Sequence, residues 1–137
     1  MTWAPLELQK IIYETFTDDP VLMSMISKVY DSAAVTEYPV FPYVTIGENP
    51  MENRSNHTHR GWSSKVTIHV WYQEQGRGRK QVQLIQAEID RLLDQKNICV
   101  DGWNIINLRA QFVDVIIDSD NVTVHGIQIF NLLLGEA

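Results

Sequence analysis

Trp62-Ser63-Ser64-Lys65-Val66-Thr67-Ile68-His69-Val70-Trp71-Tyr72 is the stretch whose pattern decides the fold. In an extended chain Val66, Ile68, Val70 and Tyr72 fall on one side, and Lys65, Thr67, His69 and Trp71 on the other. A period of two in β-branched and aromatic residues marks a half-buried strand of an antiparallel sheet. A long polar segment precedes this strand, and a turn bearing glycine and arginine follows it.

Downstream, Gly76 and Gly78 break the chain. From Lys80 the residues Val82, Ile85, Ile89, Leu92 and Leu93 make one helical stripe, with Gln83, Gln86, Glu88, Asp90 and Arg91 off it. Such a face belongs against a sheet. Ile98-Cys99-Val100 leads to a turn at Asp101-Gly102, with Cys99 expected to be buried in its apolar run. Trp103 to Ile117 is mostly strand. Ile106, Leu108, Ala110 and Phe112 hold one phase and Val113, Val115 and Ile117 the other, which predicts a bulge near Phe112 or Val113, or cover on both faces. Asp118-Ser119-Asp120-Asn121 is a turn cluster, and Val122 to Leu134 is the last strand.

Upstream, Pro5 suits the first turn of a helix, with Leu8, Ile11, Ile12 and Phe16 on its apolar stripe. Asp19 is placed to cap a second, shorter helix that starts at Pro20 and carries Leu22, Met25, Ile26 and Val29. Tyr43-Val44-Thr45-Ile46 is the first strand, entered through Pro39 and Pro42. Glu48 to Gly61 is a polar loop, expected to be poorly ordered in an isolated subunit because its apolar content is too low to offset the entropy of fixing it. The order helix, helix, strand, strand, helix, strand, strand predicts an α+β fold, an antiparallel sheet of about four strands with helices packed on one face. The 137 residues are expected to form one domain, 1–137.

The net charge of −6 argues against a DNA-coating role, which needs a basic face. One cysteine excludes an intrachain disulfide. No apolar run approaches the ~20 residues of a membrane span, and the N-terminus lacks the pattern of a signal peptide. A soluble protein, intracellular at synthesis, is expected, and the Asn-x-Ser/Thr triplets at Asn53, Asn56 and Asn121 are taken as chance matches.

The motifs that could carry chemistry are weak. His57 and His59 form a His-Thr-His pair beside Asn56 and Arg60, but a metal site needs three or four ligands. Asp118-x-Asp120-Asn121 resembles the start of a calcium loop, yet Thr123 stands where glycine is required and Ile129 where the bidentate glutamate belongs. Gly76-Arg77-Gly78 is half a nucleotide fingerprint without its third glycine. No nucleophile motif is present, so neither catalytic residue, cofactor nor metal ligand is assigned.

Pro42-Tyr43-Val44-Thr45-Ile46-Gly47, then Val66-Thr67-Ile68-His69-Val70-Trp71, then Asp101-Gly102, then Asp118 through Gly126 occur in an order and spacing that resemble the tail-completion (tail-terminator, neck, head–tail joining) proteins of long-tailed bacteriophages and prophages. The resemblance covers about Leu8 to Leu134. It implies a structural virion protein of the tail neck, assembled in the host cytoplasm, that forms a hexameric ring with itself. That ring would end the tail tube, contact the tube protein and the head–tail connector or stopper protein, and let DNA pass without specific binding or any membrane. On charge alone, the expected contact surfaces are Arg54, His57, His59 and Arg60 in the loop and Arg77 and Arg79 in the turn, set against acidic turns such as Asp118 and Asp120 of a neighbour. The alternatives are a small metal-dependent enzyme using His57 and His59, and a nucleic-acid-binding adaptor using Arg77, Arg79 and Lys80.

Overall fold

The structure, a computed structural model, describes residues 2–31, 35–73, 78–120 and 122–137. Its elements are α1 (Ala4–Thr17), α2 (Pro20–Met25), β1 (Val29–Asp31), β2 (Tyr43–Ile46), β3 (Met51–Asn53), β4 (Gly61–Gln73), α3 (Gly78–Leu93), β5 (Ile98–Val100), β6 (Trp103–Ile117) and β7 (Thr123–Glu136). None of the described helices is long and apolar enough to cross a membrane.

The fold is α+β, as expected, but the sheet is larger than about four strands and not wholly antiparallel. Seven strands pair in the order β1-β2-β4-β7-β6-β5, with β3 also on β4. β1 runs parallel to β2, and every other pair is antiparallel. The additional strands β1, β3 and β5 have three residues each, too few to show a period. Val29, assigned from sequence to the second helix, belongs to β1, because α2 ends at Met25.

β4 and β7 form the long central ladder, from Gly61 opposite Gly135 to Gln73 opposite Thr123. Ser64, Val66, Ile68 and Val70 are buried, while Lys65 is exposed and Thr67, His69 and Trp71 are half-buried. The helices cover the first of these faces. Ala4, Leu8, Ile12 and Phe16 of α1 and Val82, Ile85, Ile89 and Leu93 of α3 join Val66, Ile68, Val70, Phe130 and Leu134 in one core. Asp19 caps α2 as expected, its Oδ2 accepting the Leu22 N–H at 2.8 Å. The same oxygen meets Arg91 Nη2 at 2.8 Å, which ties α2 to α3.

β6 changes phase twice. Register shifts fall between Ala110 and Phe112, next to the expected place, and between Ile106 and Arg109, where Asn107 has a φ of 54°. Asn tolerates that left-handed conformation better than most residues. Two further expectations fail. Cys99 is exposed, its Sγ 3.2 Å from Asn104 Oδ1, because β5 is an outer strand. Gln86 lies on the buried face of α3, where its Nε2 donates to the Asp114 carbonyl at 3.0 Å.

Candidate assembly interface

Glu48–Gly61 is an arm rather than a structureless loop. Gly47 N–H donates to Thr67 O at 2.7 Å and Thr67 N–H to Glu48 O at 3.2 Å. β3 then pairs with Trp62–Ser64. Arg54 N–H to Gly61 O at 2.7 Å and Asn56 N–H to His59 O at 2.9 Å carry the hairpin to its tip. Asn56 Oδ1 accepts the N–H groups of Thr58 and His59 at 2.9 and 2.8 Å, closing the turn. The polar residues that make the segment look unfoldable thus act as turn formers.

The arm's cations differ in their surroundings. Arg54 Nη2 meets Glu52 Oε2 at 2.8 Å, but both side chains are exposed, and such a pair contributes only about 0–1 kcal/mol. The Arg60 guanidinium lies over the buried Trp103 ring, 5.7 Å from its centroid, which gives Arg60 a packing role. His57 and His59 are exposed. Among the described residues no three His, Cys, Asp or Glu side chains come together to hold a metal ion.

The other described candidate contact residues lie at the opposite end of the ladder. Arg79 and Lys80 are exposed in the first turn of α3, and Arg77 lies outside the described residues. Asp118 and Asp120 occupy the β6–β7 turn. Asp120 Oδ1 accepts the N–H groups of Val122 and Thr123 at 2.9 and 2.8 Å, and its Oδ2 accepts Thr123 Oγ1 at 2.8 Å. These bonds hold its carboxyl below the usual range. The cluster is the capped hairpin turn its composition predicts; Asn121 lies outside the described residues. The arm and this turn sit at opposite ends of β4, roughly 40 Å apart at the strand rise per residue. Arg79, by contrast, shares its end of the fold with Asp118 and Asp120.

The helix-free face carries a stack that sequence reasoning missed, because its two histidines lie 56 residues apart. His69 Nδ1 is 2.7 Å from His125 Nε2. The His125 ring lies 3.8 Å from that of Trp71, interplanar angle 8°. Trp71 Nε1 donates to Thr45 Oγ1 at 3.3 Å. Burial holds both imidazoles below the ordinary histidine range; Glu48 opposes this at His69, while at His125 the His69 ring adds to it and Asp118 opposes it. With folded values below unfolded ones, the neutral pair stabilises fully above about pH 6.5, and this contribution is lost as pH falls through the folded values. Thermal melts between pH 8 and 5 should show a fall in midpoint that His125→Asn reduces. An unchanged pH dependence in that variant would remove the pair as its source.

The family described as Tail completion protein gp17 matches residues 10–134. A chain from the "Virion of native gene transfer agent (GTA) particle" superposes with a TM-score of 0.79 at 18% identity, covering 90% of this chain and 91% of that one. The "Structure of bacteriophage SPP1 gp17 protein" gives a TM-score of 0.62 at 27% identity, covering 98% and 91%. No curated protein sequence matches. With its profile matched over residues 10–134, the chain belongs to the tail completion protein gp17 family, structural components of the bacteriophage virion tail and not enzymes.

Proposed function

We propose that the chain, acting as one domain over residues 1–137, forms a closed homomeric ring, hexameric by its family resemblance, at the head-proximal end of the tail. There it ends the tail tube and joins it to the head connector, contacting the tube protein on one side and the connector or stopper protein on the other. The observation that supports this reading, beside the family, is that the polar arm with Arg54, His57 and His59 and the turn with Asp118 and Asp120 lie at opposite ends of the central ladder. Two different surfaces at opposite ends suit a heterologous contact that repeats from subunit to subunit, and such a contact must close or run on as a filament. Rim charges of this kind set orientation and rate more than affinity.

Native mass measurement across concentrations, with and without purified tail tubes, tests the ring. Replacing Arg54, Arg77 and Arg79 together by glutamate should shift the population from ring to subunit. The melting of the isolated subunit should stay within about 0.5 kcal/mol, since Arg54 and Arg79 are exposed. Normal tail-capping rings from this variant would remove the arginines from the contact. A wild-type protein that stays monomeric on tail tubes would overturn the terminator reading itself.

A further inference from the structure

β6 is covered along only part of its outer edge. β5 pairs with Trp103–Ile105. Just beyond, Leu108 O accepts the Gln95 N–H at 2.7 Å and Ala110 N–H donates to Asp94 Oδ1 at 2.8 Å. Past Ala110, no described element pairs with that edge. Asp118 N–H to Thr123 O, at 2.9 Å, is a bonded pair. Counting back by twos, the register 116↔125 and 114↔127 takes the other bonded positions. The N–H and C=O groups of Val113, Val115 and Ile117 therefore point away from β7, and among the described residues only the Val115 N–H is capped, by its neighbour Asp114 Oδ1 at 2.8 Å. Phe112, Val113, Ile116 and Ile117 are 48%, 62%, 43% and 52% exposed. A β-branched edge with a single charge invites pairing with another strand.

We infer that residues 111–117 of β6 pair with β3 of a second copy of this chain, making one sheet continuous across the subunit boundary; this rests on the ring reading above. Strand sense admits β1 and β3 alike, and charge favours β3. Among the described residues nothing pairs with the outer edge of β3, and the bonded pair Arg54–Gly61 directs the backbone groups of Met51 and Asn53 outward by the same count. Strand sense fits: β6 runs parallel to β4 and β3 antiparallel to it, so a neighbour in the same orientation offers β3 antiparallel to β6. Charge favours β3 as well: its one carboxylate, Glu52, is paired with Arg54 Nη2 at 2.8 Å, while β6 carries Asp114 and leads into Asp118. The competing edge, β1, carries Asp31, which would face these carboxylates. Backbone pairing fixes the register, and burial of the exposed β6 side chains supplies affinity.

Val113→Pro in the full chain removes an N–H that the β7 ladder does not use, a position where an edge strand accepts proline. Assembly should weaken at least tenfold while the subunit melts within a few degrees of wild type. Independently, in a Cys99→Ser background, Asn53→Cys combined in turn with Val113→Cys, Val115→Cys and Ile117→Cys should give disulfide-linked multimers in at least one pairing. Neither partner alone should do so, and this result stands even where the proline variant fails to fold. A wild-type-sized ring from Val113→Pro with no pairing cross-linked would overturn the edge contact and leave the ring intact. Efficient cross-linking by Val113→Cys alone would replace β3 with a second β6. A wild-type chain that never assembles on tail tubes would overturn the ring reading, and this inference with it.

Discussion

Ile89→Ala lowers the free energy of unfolding by about 2–5 kcal/mol, the range for truncating a fully buried isoleucine. Ile89 is 0% exposed on the stripe by which α3 meets the sheet, together with Val82, Ile85 and Leu93. The lost methyl groups remove transfer free energy, and a cavity remains because a strand-backed helix cannot collapse freely onto it. Urea melts should show a lower midpoint at unchanged slope, the signature of a stability change alone. Leu84→Ala, on the same helix but 46% exposed, should stay within about 0.5 kcal/mol. If Ile89→Ala changes stability by no more than that control, the face of α3 has been misassigned.

What the sequence reveals of the fold tracks how long each element is. β4 alternates over 13 residues and α3 repeats its stripe over 16, so both are legible without coordinates. β1, β3 and β5 are held by partners distant in sequence, and three residues carry no period of their own. The arm is missed for a related reason: its strand partner is the front of β4, and its turn bonds come from Asn side chains that equally suit a loop. Gln86 is missed because helical spacing places it beside the stripe but cannot reveal the Asp114 carbonyl that satisfies it.

The charged surfaces are legible as residues but not as geometry. Composition picks out Arg54, His57, His59, Asp118 and Asp120, yet only the β4–β7 register puts them at opposite ends of the molecule. Gly78, close to Tyr72 and Val124, sets Arg79 at the same end as the acidic turn of its own subunit, which leaves Arg54, His57 and His59 at the far end. Arg60 looks like one more surface cation until the Trp103 ring beneath it appears.

Gly126→Ala destabilises the subunit by about 1–3 kcal/mol, the range for overpacking a filled site. Gly126 lies in β7 beneath α3, opposite Val70 and Val115. A Cβ there would stand 2.6 Å from Val82 Cγ1 and 2.7 Å from Gln86 Nε2, closer than such atoms approach. Neither neighbour yields cheaply. Val82 is β-branched and fully buried, and the Gln86 amide is engaged with the Asp114 carbonyl while its own backbone oxygen accepts Gln128 Nε2 at 3.0 Å. A methyl group therefore pushes α3 off the sheet or breaks the bond to Asp114. The opposing gain, a less flexible unfolded chain, amounts to about 0.4–1 kcal/mol and does not cover the clash. Val82→Ala should make room, so the double variant should be more stable than the sum of the single effects by about 0.5–3 kcal/mol. Strict additivity in that cycle, or a stabilising Gly126→Ala, would show that the helix already has space above β7. Because the Gln86–Asp114 bond also anchors the far half of β6, the single variant should assemble less well than its melting alone implies, and Val82→Ala should restore assembly together with stability.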